Sequence, residues 1–186
     1  MKPAEHREFE AVAYPLLDSA YRTALRLTGK PAAAEDLVQE AYLRAFRHYA
    51  QYQRGTNFKA WFFRILTNAF LNDHRRAAFE PKPYDFGEEA GLDPAAEPEP
   101  FTLSDIEALR GHLGDESAKA LDRLPVDYRA PFLLSTFENF SYKEIAEILG
   151  IPIGTVMSRL FRARRMLRED LLQYAKTSGY LKDRPA

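Results

Sequence analysis

The sequence predicts an all-α protein in which two small helical domains are joined by an acidic, proline-rich linker. In both outer parts of the chain, apolar residues recur every three or four positions, which is the period of an amphipathic helix. Glycine and proline stand at the ends of these periodic runs, where helices stop and start. The middle of the chain combines prolines with an acidic excess. We therefore expect domains at 1–77 and 117–186, with a flexible linker at 78–116.

The formal net charge of −1 conceals an uneven distribution. Residues 1–76 carry 12 basic and 8 acidic side chains, and residues 118–186 carry the same numbers. Residues 77–117 carry 2 basic and 11 acidic side chains together with five prolines. Proline and mutually repelling carboxylates keep such a segment extended. Within it, a short amphipathic helix is predicted around Leu103, Ile106 and Leu109.

The composition argues against several classes of function. The absence of cysteine excludes a disulfide framework and a catalytic thiol, and the four histidines are scattered without metal-ligand spacing. No apolar run approaches the 18 residues of a membrane span, and the N-terminus lacks the apolar segment of a signal peptide. No convergent catalytic set is visible. We therefore expect a cytoplasmic protein that is not an enzyme and uses no metal or cofactor.

The N-terminal domain is predicted to contain three helices. The first covers about Arg7 to Leu27, with Pro15 as a kink or a break, and its apolar positions are Phe9, Val12, Leu16, Ala20, Ala24 and Leu27. Gly29 suits the end of this helix, and Pro31 opens a second helix that runs to about Tyr49. After a loop at 48–57, a third helix rich in aromatic residues runs from Phe58 to Ala78.

Two faces of these helices could be binding surfaces. The second helix carries a polar face with Asp36, Glu40 and Arg44, for which simple solvation is the plainer interpretation from the residues alone. In the third helix, Trp61, Phe62 and Phe63 cannot all point inward, because consecutive helical residues lie about 100° apart. An exposed aromatic ring near arginines would suit single-stranded DNA, where bases stack and phosphates pair with cations.

The C-terminal domain begins with two predicted helices, at 117–124 and 127–138, separated by Pro125. Pro131 is expected close enough to the first turn of the second helix to be tolerated. The segment from Phe140 to Glu169 then has the pattern of a helix-turn-helix. Ser141 and Glu144 form a capping-box pair, Gly150 suits a left-handed helix end, and Pro152 opens the next helix.

The second helix of this motif has the character of a DNA-reading helix. Its inward face is predicted to hold Ile153, Val156, Leu160, Ala163 and Leu167, and its outward face Thr155, Ser158, Arg159, Arg162 and Arg165. From Ile153 to Arg168 it carries five arginines and no acidic residue. Side chains near its start can reach base edges in the major groove, and arginines farther along can meet phosphates. A solvated basic face is the alternative, but turn, caps and one-sided charge together favour DNA.

Several long motifs resemble those of bacterial RNA polymerase sigma factors of the sigma-70 family. Residues 34–46 (AEDLVQEAYLRAF) and 58–68 (FKAWFFRILTN) resemble the second conserved region. Residues 124–129 (LPVDYR), 140–150 (FSYKEIAEILG) and 152–160 (PIGTVMSRL) look like the fourth. The arrangement resembles the extracytoplasmic-function (ECF) subfamily, which carries only these two regions.

The resemblance implies a stress-responsive factor that binds core RNA polymerase and directs it to promoters. The implied partners are the β′ clamp helices and the β subunit of core polymerase, promoter DNA and an anti-sigma factor, without membrane insertion. The implied residues for core binding are Asp36, Gln39, Glu40, Leu43 and Arg44. Those for the −10 element are Lys59, Trp61, Arg64, Asn68, Asn72, Arg75 and Arg76. Those for the −35 element are Lys143, Thr155, Ser158, Arg159, Arg162 and Arg165.

The linker is long enough for two separated DNA elements. The acidic segment that contains it, 41 residues at 77–117, spans about 130 Å when extended and about 35 Å as a flexible coil. Promoter elements two helical turns apart lie roughly 70 Å from each other. Two other functions were weighed: a stand-alone helix-turn-helix regulator with an oligomerisation or sensing domain, and an enzyme such as a nuclease, against which stands the absence of clustered carboxylates, of a phosphate-binding glycine loop and of a nucleophile elbow. The first predicts tight, specific DNA binding without polymerase.

Overall fold

The computed structural model describes residues 3–77 and 114–177, and all regular structure in these ranges is helical. The N-terminal block contains α1 (Pro3–Ala13), α2 (Leu17–Thr28), α3 (Pro31–His48) and α4 (Phe58–Ala77), with 3₁₀ turns at Tyr14–Leu16 and Tyr49–Gln51. The C-terminal block contains α5 (Gly114–Arg123), α6 (Val126–Thr136), α7 (Tyr142–Leu149) and α8 (Ile153–Thr177). The all-α class is confirmed. The linker prediction, with its helix around Leu103, Ile106 and Leu109, lies outside the described residues except at 114–116, where α5 begins.

Pro15 breaks the first predicted helix into α1 and α2. The 3₁₀ turn between them changes the register of the apolar face. As a result Ala13 is buried, whereas Val12, which was expected to face inward, is 38% exposed. The end of α2 follows its sequence pattern: Gly29 is left-handed at φ 68°, and its N–H donates to the Leu25 carbonyl. Pro31 stands in the first turn of α3.

Aromatic side chains fill the core between α1, α3 and α4. Phe62 and Phe63 are fully buried, and the ring of Phe58 packs between those of Phe9 and Trp61. Trp61 is half-buried, so the expectation that one of three consecutive aromatics stays partly outside is confirmed. Ring pairs at these separations add to the stabilisation that comes from buried apolar area.

In the C-terminal block, α6 and α7 pack against α8 around Leu133, Ile145, Val156 and Leu160. Helix α6 begins at Val126 and ends at Thr136. Pro131 is therefore its sixth residue, close to the first turn as expected but inside the helix. A proline there lacks the N–H that would bond the carbonyl four residues earlier, and its side chain is buried.

The two blocks pack directly against each other in the described structure. Helix α4 lies against α7, and α2 lies against α5 and α6, so one apolar core continues from block to block. Within the described residues, no helix is long and apolar enough to cross a membrane.

Candidate nucleic-acid interface

The helix-turn-helix forms as the sequence predicts. The Ser141 hydroxyl accepts a hydrogen bond from the Glu144 N–H, and the Glu144 carboxylate accepts one from the Ser141 N–H at 2.9 Å. This reciprocal cap holds the pKa of the Glu144 carboxyl below its usual range, chiefly through the Ser141 N–H. At the other end of α7, Gly150 adopts φ 67°, so the chain reverses within the turn and enters α8.

Helix α8 turns the predicted apolar stripe toward α6 and α7, with one exception. Val156, Leu160, Ala163 and Leu167 are buried, but Ile153 is 50% exposed. The expectation for Ile153 was wrong because it is the first residue of α8, where the helix extends beyond its neighbours. Met157, one turn later, is also 54% exposed. Two apolar side chains thus stand at the start of the helix, where a DNA-reading helix meets base edges and thymine methyl groups.

The residues predicted for the −35 element fall into three pairs, the third being Arg159 and Arg162. Lys143 and Arg165 are exposed, and Arg165 bonds Glu169 one turn along the same helix at 2.9 Å. Thr155 and Ser158 are half-buried, and the Ser158 hydroxyl donates to the Thr155 carbonyl at 3.1 Å.

Arg159 and Arg162, by contrast, do not point freely outward as expected. The Arg159 side chain is 18% exposed, and its guanidinium lies 3.5 Å from the Asp127 carboxylate. The Arg162 guanidinium donates to the Tyr128 hydroxyl at 3.4 Å. Both arginines lean toward the start of α6, because that end of α6 presents polar groups beside the outer edge of α8. A helical period defines a face but does not reveal which neighbour offers a hydrogen-bond acceptor there.

The residues predicted for the −10 element lie along α4. Arg64, Asn68 and Asn72 are exposed and share one side of the helix. Arg75 and Arg76 belong to its last turn, and their side chains lie outside the described part of the chain. The Trp61 ring centroid lies 5.3 Å from that of Tyr52, and the indole, one turn before Arg64, is half-buried. A row of amides and an arginine next to a partly exposed indole suits unstacked bases and phosphates.

Lys59 is the exception in this row. Its ammonium lies 2.9 Å from the Glu138 carboxylate of the C-terminal block and donates to the Glu138 carbonyl at 2.8 Å. Glu138 is buried, with an exposed fraction of 5%, and it also accepts a hydrogen bond from the Thr23 hydroxyl at 2.7 Å. We call Thr23, Lys59 and Glu138 the Glu138 cluster.

The sequence did not predict this cluster. The only local indication was a carboxylate placed between two aromatic residues, Phe137 and Phe140, where an acidic residue is expected to have a buried partner.

The residues predicted to bind core polymerase form one side of α3. Asp36, Gln39 and Leu43 are exposed, and Leu43, at 48%, is a large apolar side chain left in solvent. Glu40 and Arg44 pair with each other along the helix. Behind them, the Tyr42 hydroxyl donates to the Ala13 carbonyl at 2.8 Å, and burial raises its pKa to about 12. With its rear side held in this way, α3 leaves its polar face accessible.

Known protein families match both helical blocks of the chain. Residues 15–80 match the model of sigma-70 region 2, and residues 117–167 match the model of sigma-70 region 4. The chain is 40% identical over 165 residues to the ECF RNA polymerase sigma factor SigE of Mycolicibacterium smegmatis, an alignment that covers 87% of this chain. It is 38% identical to the ECF RNA polymerase sigma factor EcfG of Rhodopseudomonas palustris, covering 77% of this chain and 74% of the relative.

A solved structure supports the same grouping. The sigma factor RpoE of Bartonella quintana, in complex with the anti-sigma factor NepR, superposes with a TM-score of 0.67 at 32% identity. That superposition covers 89% of this chain and 97% of the other. The chain spans 61% of the length of the SigE relative.

Proposed function

The chain belongs to the ECF family of RNA polymerase sigma factors, and we propose that it binds core RNA polymerase and carries it to a specific set of promoters. In this proposal the exposed side of α3 docks on core polymerase, α4 reads and opens the −10 element, and α8 reads the −35 element as duplex. Core polymerase supplies the nucleotide chemistry. The chain recognises the promoter sequence and opens the DNA strands, and it has no catalytic role.

The observation that carries the proposal is the helix-turn-helix from Ser141 to Arg168. A capped α7, a left-handed Gly150 and an acid-free, arginine-rich stretch of α8 give the geometry that presents a helix to the major groove. The N-terminal block adds what a simple DNA-binding module lacks. It has an accessible polar face with one exposed leucine on α3, and beside it an amide and arginine row on α4.

We further propose that an anti-sigma factor regulates this chain. The support is the Bartonella quintana relative, which was solved in complex with the anti-sigma factor NepR. The accessible face of α3 and the apolar residues at the start of α8 give such a partner exposed surface to contact in each block.

Reconstitution with bacterial core polymerase tests the proposal. The holoenzyme should select its own promoters from a pool of DNA fragments with randomised −35 and −10 positions and produce transcripts from them. The chain alone should bind the selected duplexes weakly at physiological salt. Each outer part of the chain carries only a small positive excess while residues 77–117 carry 2 basic and 11 acidic side chains, and phosphate contacts dominate affinity. Nanomolar binding by the chain alone, with no effect of core polymerase, would favour the stand-alone regulator instead.

A further inference from the structure

We propose that Ile153 and Met157, at the start of α8, are specificity-determining residues for the −35 element and contact the 5-methyl group of thymine in the major groove. This inference rests on the proposed function, because it takes α8 as the reading helix. It goes further by naming a base that α8 selects and the chemistry by which that base is recognised. Neither residue was among those predicted for the −35 element.

The two side chains form one apolar surface outside the core. Ile153 is 50% exposed and Met157 is 54% exposed. They are four residues apart on α8, so their Cβ atoms lie on the same side of the helix, about 5–6 Å from each other. The core beneath them is filled by Val156 and Leu160, which are buried against α6 and α7. Packing within the described residues therefore does not account for the apolar character of the pair.

The charges around this pair favour DNA as its binding partner. From Ile153 to Arg168, α8 carries five arginines and no acidic residue, and Lys143 is exposed on α7. The phosphates on both sides of a major groove complement this charge, whereas an apolar partner helix would leave it unused. An apolar contact between cations also fits the groove itself, because thymine methyl groups lie on its floor between two rows of phosphates.

Thymine is the base whose major-groove edge carries an apolar group. Cytosine has only a hydrogen at the corresponding carbon and presents an amino donor beside it, while adenine and guanine present polar groups. A methionine thioether is a weak acceptor and an isoleucine side chain is none, so the pair cannot satisfy the amino group of cytosine or adenine. A base other than thymine would thus lose the methyl contact and leave a polar group without a good partner.

The arginines of α8 show where this apolar surface ends. Arg159 follows Met157 by two residues and lies about 200° around the helix, where its guanidinium is 3.5 Å from the Asp127 carboxylate. Arg164 lies on the same side as Met157, two turns later, and donates to the Tyr142 hydroxyl at 3.2 Å. The apolar pair and Arg159 therefore face different bases of the element.

Replacement of thymine by deoxyuridine tests the inference, because it removes the methyl group and leaves base pairing unchanged. Holoenzyme reconstituted with the full chain first selects its −35 sequence from DNA with randomised positions. Each thymine of the selected element, on either strand, is then replaced singly, and binding is measured by fluorescence competition. We expect binding about fourfold weaker at one or two positions, the effect of one buried methyl group. Thymines in the spacer between the elements should show no effect.

Variants of the pair identify the side chains that contact the methyl group. Met157→Ala should abolish the deoxyuridine effect and Ile153→Ala should reduce it, because the shortened side chains no longer reach the base. Met157→Leu keeps an apolar side chain of similar size and should retain the effect. Leu172→Ala removes an exposed apolar side chain of α8 outside the helix-turn-helix and is the matched control. Because all these positions are exposed, circular dichroism should remain native.

Several outcomes would overturn the inference. A selected −35 element without thymine on either strand does so, as does the absence of any deoxyuridine effect in that element. An effect that persists in both Met157→Ala and Ile153→Ala means that another residue reads the methyl group. If Met157→Ala instead weakens retention of core polymerase and leaves the deoxyuridine effect unchanged, the pair contacts protein rather than DNA.

The proposed function fails separately, if the unmodified chain retains no core polymerase in a pull-down. The same selection and deoxyuridine replacement are then carried out with the full chain alone at low salt, where phosphate contacts strengthen binding. A deoxyuridine effect that Met157→Ala abolishes supports the methyl contact under these conditions, and its absence overturns that contact.

Discussion

The guanidinium of Arg159, in the middle of the proposed reading surface, lies 3.5 Å from the Asp127 carboxylate of α6. An arginine held by a carboxylate from a neighbouring helix has fewer rotamers to lose on binding, so we expect Asp127 to position Arg159 if Arg159 contacts a base as proposed. The Asp127 carboxylate is 46% exposed, so solvent screens the pair and its own contribution to folding stability is small.

We predict that Arg159→Ala reduces discrimination at the −35 element. A lost bidentate contact to a guanine weakens binding to the cognate sequence by roughly 1–3 kcal/mol. Asp127→Asn should give a smaller loss, and it should add nothing in the Arg159→Ala background because the two residues act together. Binding by reconstituted holoenzyme to promoters with systematic −35 substitutions measures both effects. A uniform loss across all sequences would identify Arg159 as a phosphate contact.

Charge reversal on α3 should abolish retention of core polymerase. Asp36→Lys with Glu40→Lys places two cations on the exposed face and sets one of them beside Arg44, while Leu37 and Ala41 keep their buried positions. Exposed substitutions of this kind change stability by only about 0.5 kcal/mol. The matched control, Asp18→Lys with Glu147→Lys, makes the same change in charge at exposed positions off this face. If both double variants are retained equally in a pull-down, core polymerase binds elsewhere.

Two glycines on either side of the turn should respond to alanine in opposite ways. Gly150 adopts φ 67° with open space around it, so Gly150→Ala should cost roughly 1–2 kcal/mol of unfolding free energy through backbone strain alone. Gly154 lies inside α8, also with open space, so Gly154→Ala should stabilise by up to about 0.5–1 kcal/mol. Urea unfolding of both variants measures the difference. Equal effects would contradict the left-handed turn.

The Glu144 cap predicts a specific loss of stability in acid. Hydrogen bonds from Ser141, first its N–H and then its hydroxyl, lower the pKa of this carboxyl, and the Asn57 amide and nearby Lys59 act in the same direction. A lowered folded-state pKa means that the contribution is fully present above the unfolded value, about 4.3, and is lost as the pH falls through the folded value.

Glu144→Gln keeps a cap of the same length but removes the titrating charge. Its melting temperature should therefore fall less than that of the unmodified chain between pH 7 and pH 3. Glu147→Gln, an exposed change on the same helix, is the control. The pH dependence assigned to the cap is refuted if the two variants show the same profile.

Much of the fold could be predicted because the interactions that begin and end its helices are local in sequence. The helix ends were predicted at Ser141 and Gly150, and at Gly29 and Pro31. Each of these ends depends only on residues that are close together in the sequence, and the structure confirms them. The buried face of α1 was harder to predict. The periodicity did not show that the turn at Pro15 would move Val12 out of the core.

Parts of the candidate site could not be predicted because they depend on contacts distant in sequence. Thr23 and Glu138 are 115 residues apart, and nothing in the sequence around either residue indicates the other. The orientation of Arg159 likewise depends on Asp127, which belongs to a different helix. Helical period and charge led to the prediction that α8 is the reading helix, but they carried no information about which arginines a neighbouring carboxylate would hold.

The corner at residues 138–140 has an evolutionary consequence. Asn139 is left-handed at φ 58°, and the Phe140 N–H donates to the Leu134 carbonyl, so this corner sets how the chain enters α7. The residues on either side of Asn139 also hold the N-terminal block. A substitution at this corner would therefore disturb the entry into α7 and the contact between the blocks at the same time. Thr23 lies outside the helix-turn-helix, so lineages should vary the contact between the blocks through α2 and conserve the corner.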